Sequence, residues 1–442
     1  MKRILLLFFA LMLLCPFGAG AENFVNLTPK PKQMTVGTGT LSLPTDFRIC
    51  VAGLPDSIKA EATNFVEFLN GKSGLNVKTT TKTSGAQIVL SRYAGTLDPE
   101  GYKLDITTSG VKLQSNTTAG FFYGLTTLKK LMPASVRAGV IDANLTALPL
   151  PVVSITDSPR FGYRGFMLDV SRHFFSKEYI LKTLDRMAML KLNTFHFHLV
   201  DNEGWRIEIK KYPKLTEVGA WRVDQEDKLW DERTSNPADA FANPVSAPKK
   251  YGGFYTQEDI KEIVAYAAAR GITVIPEIEM PAHVMSAIAA YPELSCHKRP
   301  IGVPSGAVWP NIDIYCAGQE ESFTFLEDVL TEVMALFPSK YIHIGGDEAD
   351  HTEWEKCPKC QQRIKDNHLK DVHQLQSYFI KRIDKFLVSK GRILVGWDEI
   401  MDGGLANDAV VMNWRGIDIG RKALEQGNPV VLTSDCYINR YQ

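Results

Sequence analysis

The sequence predicts an α/β protein in which a small α+β domain precedes a (β/α)8-type TIM barrel. From about residue 151 onward, short segments that are apolar throughout alternate with amphipathic helical segments. Such apolar segments are typical of parallel strands that helices bury on both faces. Polar residues follow several of them, at the end of the sheet where a barrel carries its active site. The 442 residues can hold a barrel of about 250–300 residues and one smaller domain.

The first part of the chain has a different pattern. Residues 22–150 contain short alternating strand patterns and two helical patterns, at 57–69 and 119–131. Mixed short strands with few helices indicate an α+β domain. The predicted boundary is Pro149-Leu150-Pro151, so the barrel domain is expected over 151–442.

Seven strands are predicted in the barrel domain. They are short and mostly apolar, and they comprise 165–170, 194–199, 273–278, 341–344, 393–396, 409–413 and 429–433. Helical patterns between them are at 177–192, 257–270, 320–337, 372–390 and 417–426. Thr256 and Asp259 form a predicted capping box at the start of one helix. A closed barrel of this type has eight strands, so a barrel that is incomplete at its C-terminal end is expected.

The N-terminus is typical of a secretory signal peptide over residues 1–21. Two basic residues precede the apolar run 4–14, and Ala19-Gly20-Ala21 forms a small-residue cleavage site. The apolar run is too short to span a bilayer comfortably, so we expect no membrane span and export to the periplasm or the extracellular space. Lipid attachment at Cys15 is less favoured, because Leu14 is bulky for that processing.

The charges of the chain are balanced. Fifty Lys and Arg residues stand against fifty Asp and Glu residues, with no long run of one sign. Neither a nucleic acid nor an anionic membrane is therefore expected as a partner.

Four cysteines of the barrel domain stand in two pairs. Cys296 and Cys316 flank a loop rich in Pro and Gly, and we expect a disulfide between them in an oxidising compartment. Cys357 and Cys360 have the spacing of zinc ligands, but a structural zinc site needs a second pair, and none stands nearby in the sequence. A local disulfide or free thiols are favoured, and no metal or cofactor is predicted.

The segment 341–348, YIHIGGDE, carries the strongest functional signal. An apolar strand ends in two glycines, which let the backbone leave the strand geometry and approach a ligand closely. Asp347 and Glu348 then stand at the carboxyl end of a buried strand, where carboxylates are costly to desolvate unless they have partners or a role. A structural alternative is that Asp347 caps the next helix.

Further polar residues lie in or next to the predicted strands. The set combines carboxylates, aromatic rings and an arginine, and it comprises Arg164, Asp169, Asp201, Asn202, Glu203, Glu277, Glu279, His283, Trp397, Asp398, Glu399, Trp414, Tyr437 and Asn439. Aromatic rings cover the apolar face of a sugar and carboxylates accept hydrogen bonds from hydroxyls, so a neutral polyhydroxylated ligand is indicated. Glycosidic cleavage needs an acid that stays protonated near neutral pH, and paired carboxylates such as Asp347 and Glu348 raise a pKa.

A metal-dependent hydrolase is the alternative interpretation. His196 and His198 share one face of a strand and could chelate a metal, with His283 and His343 completing the site. Both lie within the strand, beside aromatic neighbours, so hydrogen-bonded residues of the barrel core are favoured over ligands.

The sequence resembles the β-N-acetylhexosaminidases of glycoside hydrolase family 20. Four motifs carry the resemblance, in the family's order: 163–174 (YRGFMLDVSRHF), 196–206 (HFHLVDNEGWR), 276–283 (PEIEMPAH) and 343–348 (HIGGDE). The resemblance spans about residues 24–442. It implies an exo-acting enzyme that hydrolyses terminal, non-reducing β-linked N-acetylglucosamine or N-acetylgalactosamine by substrate-assisted retaining catalysis.

The resemblance implies roles around the acid pair. Glu348 is the expected general acid and then the base that activates water. Asp347 is expected to hold the N–H of the sugar's acetamido group, and Tyr437 its oxygen. Asp201 and His283 are expected to support the acid pair.

The resemblance also implies residues that bind the sugar. Arg164 is expected to bind the outer hydroxyls, and Asn439 a hydroxyl near the primary alcohol. Trp397 and Trp414 are expected to wall the acetamido pocket. The expected partner is a glycan with a terminal N-acetylhexosamine.

The sequence departs from the family at its C-terminal end. The family has an eighth strand, with a Trp and a Glu after it, which this sequence stops short of. Either the 442 residues are a fragment or another element closes the barrel. An inactive or carbohydrate-binding relative is therefore a further alternative.

Overall fold

The computed structural model describes residues 25–142, 144–242, 247–306 and 308–434. Its contacts divide the chain into two compact units, with the division after Gly162. The predicted signal peptide, Tyr437 and Asn439 lie outside the described residues. Within the described ranges, no helix is both long and apolar enough to cross a membrane.

The N-terminal unit has the predicted α+β composition. Its strands are β1 Gln33–Pro44, β2 Asp46–Cys50, β3 Asn76–Thr80, β4 Ile88–Arg92, β5 Tyr102–Thr107, β6 Gly110–Ser115 and β7 Ala147–Asp157. They form one mixed sheet in the order β1-β7-β5-β6-β4-β2-β3. Its helices are α1 Asp56–Ser73, α2 Thr118–Leu131 and α3 Ala134–Ala138. The alternating residues Leu104, Ile106 and Leu113 are buried and share one core with Phe121 of α2.

Strand β7 corrects the predicted boundary at 150/151. Pro149 and Pro151 lie inside this strand, which pairs with β1 along most of its length. Strand β5 pairs only with residues 153–157 of β7, so the proline-containing half has a single strand neighbour. Prolines are tolerated at such an edge, because the missing N–H removes no ladder hydrogen bond on the open side.

The second unit carries the predicted barrel-type sheet. Its strands are β8 Gly165–Asp169, β9 Thr194–His198, β10 Val200–Asp201, β11 Gly204–Trp205, β12 Trp221–Val223, β13 Lys250–Gly252, β14 Thr273–Glu277, β15 Tyr341–His343, β16 Ile393–Trp397, β17 Val410–Asn413 and β18 Val430–Leu432. Among the described residues, seven of these form a parallel sheet in the order β18-β17-β16-β15-β14-β9-β8. Strands β10 with β11, and β12 with β13, form two short antiparallel pairs outside it. The seven predicted strand positions are confirmed.

The helices of this unit follow the predicted helical patterns and add short ones. They are α4 Lys177–Met189, α5 Lys214–Glu217, α6 Gln257–Ala268, α7 Met285–Ala290, α8 Glu320–Leu336, α9 Thr352–Lys356, α10 Pro358–Asp366, α11 Val372–Ser389 and α12 Ile417–Glu425. Short 3₁₀ turns are at Trp230–Glu232, Pro292–Leu294 and Asp398–Met401. The predicted capping box of Thr256 and Asp259 is present at the start of α6.

The parallel sheet curls and aligns polar residues at one end. Tyr163 and Met167, beside and within β8, pack in one apolar cluster with Trp414 and Val431 near the other edge. At the carboxyl ends, Glu277 pairs in register with both His198 and His343. The residues that carry chemistry are therefore neighbours at one level of the sheet.

The predicted disulfide between Cys296 and Cys316 is not formed. Neither residue is in a disulfide bond, and the same holds for Cys50, Cys357 and Cys360.

Candidate active site

The acid pair follows a sharp turn at the end of β15. Gly345 and Gly346 hold φ of 66° and 99°, and Glu348 holds φ of 49°. A Cβ atom on Gly345 would lie 1.6 Å from Oε2 of Glu279, so only glycine fits against this buried carboxyl group. The backbone can therefore bring Asp347 and Glu348 into the carboxyl end of the sheet.

His283 connects the acid pair to the barrel. Its Nε2 lies 3.2 Å from Oε2 of Glu348 and 3.5 Å from Oδ2 of Asp347, and its Nδ1 lies 3.0 Å from Oδ1 of Asp201. Burial alone would lower the pKa of His283, but the carboxylates of Asp201 and Asp347 raise it well above its ordinary value. The imidazole is thus a cation at neutral pH, held between carboxylates on both sides.

Arg172 anchors the carboxylates on the far side of His283. Its guanidinium lies 3.1 Å from Oδ2 of Asp169 and 3.1 Å from Oε2 of Glu203, and it also pairs with Asp201. Burial would raise the pKa of Asp201, but the charges of Arg172 and His283 hold it well below the usual range. Asp201 is therefore an ionised acceptor that fixes the orientation of the imidazole.

Asp347 retains an unused acceptor. Its side chain is 15% exposed, and the buried Oδ1 has no hydrogen-bond partner among the described residues. Burial and the carboxylates of Glu277, Asp201 and Glu348 outweigh the opposing effect of His283 and raise the pKa of Asp347 to about 6. At neutral pH Asp347 is mainly ionised, and a buried ionised acceptor without a partner indicates the position of a ligand donor.

A buried charge cluster lies beneath the acid pair. Nε2 of His196 is 2.8 Å and Nδ1 of His343 is 2.9 Å from the carboxylate of Glu277, and Nδ1 of His198 is 3.7 Å from it. Burial lowers the pKa of His343 to about 4, whereas Glu277 and Asp169 raise that of His198 to about 9 against the effect of burial. His196 and His198 are buried in the barrel core, as expected, and lie at ion-pair distance from Glu277, but Nε2 of His196 and both ring nitrogens of His198 form no hydrogen bond with a described residue.

Three groups of these residues have ligand atoms close enough to hold a metal ion. They are His196 with Glu277 and His343, His198 with Glu277 and Glu279, and His283 with Asp347 and Glu348. In each group, the imidazole nitrogens lie at ion-pair distance from the carboxylates. Nε2 of His196, Oε2 of Glu277 and Oδ1 of Asp347 nevertheless have no hydrogen-bond partner among the described residues.

An open cleft of about 350 Å³ runs beside Glu348. Trp309, Glu399, Trp414 and Arg415 contribute to its lining. Nε1 of Trp414 donates to Oε2 of Glu399 at 3.0 Å, which fixes the indole at the cleft. Burial and the nearby Asp347 raise the pKa of Glu399 to about 8, so this carboxyl group is mainly protonated at neutral pH.

The structure brings most of the described predicted residues together. Asp201, His283, Asp347 and Glu348 form one connected set, and Trp414 lines the cleft that contains Glu348. Trp397 lies deeper, 6% exposed, and its indole N–H donates to Glu277 at 2.8 Å.

Arg164 precedes β8, and its Nε donates at 2.8 Å to the backbone carbonyl of Lys191, ahead of β9. The backbones of Arg164 and Lys191 lie at the amino ends of parallel strands. The expected contact of Arg164 with the outer hydroxyls of the sugar stays a prediction. Arg172, which was not among the predicted site residues, supports the acid pair through Asp201 and His283. It follows the carboxyl end of β8, so the rule that places barrel sites after the strands would have selected it.

Comparisons with known proteins agree with this arrangement. The family description "Glycosyl hydrolase family 20, catalytic domain" matches residues 161–442, and "Glycosyl hydrolase family 20, domain 2" matches 25–158. A beta-hexosaminidase of Porphyromonas gingivalis is 43% identical over 428 residues, which cover 95% of this chain and 52% of that protein. A beta-hexosaminidase of Vibrio furnissii is 34% identical over 414 residues, covering 92% of this chain and 62% of that protein.

Solved structures show the same fold. A beta-N-acetylhexosaminidase from Bacteroides fragilis gives a TM-score of 0.77 at 34% identity, covering 93% of this chain and 76% of that one. The exo beta-N-acetylglucosaminidase of Vibrio harveyi, in complex with N-acetylglucosamine, gives 0.78 at 30% identity, covering 92% and 60%. The chain spans about half the length of the Porphyromonas relative and under two thirds of the Vibrio furnissii one.

Proposed function

This chain belongs to glycoside hydrolase family 20, and from that premise we propose that it is an exo-acting β-N-acetylhexosaminidase. The reaction is hydrolysis of terminal, non-reducing β-linked N-acetylglucosamine or N-acetylgalactosamine. The observation that carries the proposal is the pairing of Glu348 with an ionised Asp347 whose buried Oδ1 lacks a partner in the described part of the chain. An acetamido N–H is a donor of the kind that this acceptor requires.

The proposed mechanism uses the substrate's own acetamido group. Asp347 and Glu348 both approach Nε2 of His283, so the two carboxylates lie on one side of the site. The acetamido oxygen of the substrate then acts as the nucleophile, from the side of the sugar ring opposite the acid. Substrate-assisted glycosidases, which are exceptions to the scheme with a carboxylate nucleophile, work in this way. Asp347 accepts the acetamido N–H and stabilises the positive charge that develops on that group.

Glu348 moves the proton in both steps. It donates to the glycosidic oxygen while the acetamido oxygen bonds to the anomeric carbon and the glycosidic C–O bond breaks. It then accepts a proton from water, which attacks the anomeric carbon and opens the bicyclic oxazolinium intermediate. Two inversions return the sugar with its β configuration. His283 holds Glu348 in place through the 3.2 Å contact, and Asp201 and Arg172 hold His283.

The sugar is proposed to occupy the cleft beside Glu348. Trp414, fixed by Glu399, offers an aromatic face to the apolar face of a pyranose ring. The roles of Tyr437 with the acetamido oxygen and of Asn439 with a hydroxyl stay predictions, since both lie outside the described residues. The role of Trp397 as a wall of the acetamido pocket is also a prediction.

Aryl glycosides test the proposed activity. The full chain should release nitrophenol from nitrophenyl N-acetyl-β-glucosaminide and N-acetyl-β-galactosaminide, and the nitrophenyl β-glucoside should be the poor substrate. A comparable rate on the glucoside would contradict acetamido participation. Turnover that a chelator abolishes and zinc restores, with no preference for the acetamido sugar, would favour the metal-hydrolase alternative instead.

The site of action is proposed to be outside the cytoplasm. A charged start, the apolar run 4–14 and the small residues Ala19-Gly20-Ala21 support export with removal of residues 1–21. N-terminal sequencing of protein from the periplasmic and culture fractions tests this. A mature chain that begins at Glu22 is the expected result, and an intact N-terminus in the cytoplasmic fraction would contradict it.

A further inference from the structure

Four cysteines meet in a cluster outside the acid-pair site. Sγ of Cys296 lies 3.7 Å from Sγ of Cys360, and Sγ of Cys316 lies 3.8 Å from Cys357 and 3.7 Å from Cys360. All four sulfur atoms are within 4.8 Å of one another. Cys296 and Cys316 therefore lie next to Cys357 and Cys360, although the two pairs are about 40–60 residues apart in the sequence. Cys296 and Cys316 supply the second ligand pair that a zinc site with the Cys357-x-x-Cys360 motif requires.

The separation between the sulfur atoms matches a tetrahedron around a metal ion. A Zn–S bond of about 2.3 Å in a tetrahedral site places the ligand atoms ~3.8 Å apart. A disulfide bond would require a separation of about 2.0 Å. The measured 3.7–3.8 Å distances agree with four ligands of one cation and not with two disulfide bonds.

The surrounding chain is built to hold these sulfur atoms in place. Cys357 precedes α10 and Cys360 lies in its first turn. The backbone N–H of Gly318 donates to the sulfur of Cys316, as N–H groups do in thiolate sites. A Cβ atom on Gly318 would lie 2.3 Å from the backbone nitrogen of Cys360, so only glycine allows the loop to approach the helix this closely.

The cluster is buried at the edge of the main core. Cys316 and Cys360 are at most 1% exposed and Cys357 is 8% exposed, while Cys296 is partly buried. Four thiol groups in close contact in an apolar environment form only weak hydrogen bonds with one another. A divalent cation stabilises them as thiolates. Its positive charge compensates the negative charges of the sulfur atoms, which burial deprives of solvation by water.

We propose that Cys296, Cys316, Cys357 and Cys360 bind one Zn²⁺ ion in a closed structural site. Four thiolates leave no open coordination position, so the ion does not take part in hydrolysis. It ties the loop between Cys296 and Cys316 to helix α10. That loop carries Asn311, whose Nδ2 lies 3.3 Å from Nε2 of His283 and whose carbonyl accepts from Asp350 N at 3.2 Å. The ion thereby stabilises the support of the acid pair.

Metal analysis of the purified full chain tests the proposal. The protein is isolated without a metal-affinity column, dialysed and measured by inductively coupled plasma mass spectrometry. About one zinc per chain is expected. Replacement of zinc by Co²⁺ should produce the visible absorption of a tetrahedral cobalt site together with sulfur-to-cobalt charge transfer in the near ultraviolet. A cobalt protein without the charge-transfer band, or thiolate-bound iron in place of zinc, would overturn the assignment.

Cysteine variants locate the ion. Cys316→Ser should reduce the zinc content from about one per chain to near zero, whereas Cys50→Ser, which changes a buried cysteine in the N-terminal unit, should retain it. If Cys316→Ser does not fold, the zinc content of the wild type and of Cys50→Ser still shows whether the chain binds one zinc ion and whether Cys50 takes part.

Alkylation provides an independent readout. After denaturation with a chelator and without a reductant, the four cysteines should all react with iodoacetamide, as intact-protein and peptide mass spectrometry would show. Two disulfides among them, or four free thiols in a protein without zinc, would overturn the proposal.

Discussion

His283 and Glu348 contact each other at 3.2 Å, and both hold the left-handed backbone conformation, with φ of 57° and 49°. Non-glycine residues adopt this conformation uncommonly, and it persists where the surroundings over-determine it. On the His283 side those surroundings are Asp201 and Asn311. The carboxylate of Glu348 is thus placed by the fold before substrate binds.

Replacement of the acid tests the role of Glu348. Glu348→Gln keeps the shape of the side chain but has no proton to donate. We expect kcat on a natural disaccharide, which has a poor leaving group, to fall by about 10²–10⁴-fold. Aryl glycosides with highly acidic leaving groups should lose much less in the glycosylation step.

A binding measurement provides the control for this variant. Calorimetry with N-acetylglucosamine should give a similar Kd for wild type and Glu348→Gln. A variant that hydrolyses the disaccharide at a near-normal rate would mean that another residue is the acid.

Asp347→Asn should stabilise the protein while it reduces activity. The pKa of Asp347 is raised from 3.8 to about 6, so the folded state binds the proton more tightly than the unfolded chain. Ionisation of Asp347 therefore lowers the free energy of unfolding. The loss is near zero below about pH 4 and reaches ~3 kcal/mol above about pH 6. Asparagine removes this cost, so urea unfolding should show the variant more stable at pH 7.5 and nearly equal to wild type near pH 3.5.

Asp239→Asn, at an exposed position, is the matched control and should show no such pH-dependent difference. An Asp347→Asn variant that is less stable than wild type at pH 7.5 would contradict the assignment of a raised pKa.

Glu399 should shape the alkaline side of the activity profile. Its pKa is raised to about 8, so it is neutral during catalysis at pH 7 and becomes a second negative charge near Asp347 above pH 8. Glutamine mimics the neutral form and can still accept from Trp414. We expect Glu399→Gln to retain activity at pH 6–7 and to lose the fall in kcat/KM that wild type shows near pH 8. Glu425→Gln, an exposed substitution, should leave the profile unchanged. Identical profiles for wild type and Glu399→Gln would refute this role.

Arg172 and Arg164 can be compared directly. Lysine lacks the fork of donors with which Arg172 contacts Asp169, Asp201 and Glu203. A hydrogen bond to a charged group contributes about 1.5–3 kcal/mol, so Arg172→Lys should lower kcat/KM about 10–100-fold. Arg164→Lys tests the expected contact of Arg164 with the outer hydroxyls of the sugar, and it should raise KM with a smaller effect on kcat. An unchanged KM for Arg164→Lys would contradict that role, and an unchanged kcat/KM for Arg172→Lys would contradict the role of Arg172.

Local sequence patterns predicted the elements better than the contacts between them. The strand positions and the Thr256–Asp259 capping box depend on residues close in the chain, and the structure confirms them. The predicted boundary differs from the structure because Pro149 and Pro151 are typical of a linker in the sequence, whereas they lie in β7, whose one open edge tolerates both.

Contacts between distant residues were beyond the sequence patterns. Cys296 and Cys360 are 64 positions apart, and no local pattern shows that they meet. The contact of His283 with Asp201 joins residues 82 positions apart, and the resemblance to the family, not periodicity, indicated it.

In the proposed mechanism, the substrate's acetamido oxygen is the nucleophile, placed by Asp347, while Glu348 donates its proton to the glycosidic oxygen. A series of nitrophenyl N-acyl-β-glucosaminides with zero, one, two and three fluorine atoms on the acyl methyl group tests it on the wild-type enzyme. Fluorine withdraws electrons from the acyl oxygen and barely changes the leaving group. The account predicts that kcat/KM falls steeply with each added fluorine. A rate that stays constant across the series would contradict it, because the bond-forming oxygen would then belong to the protein or to water.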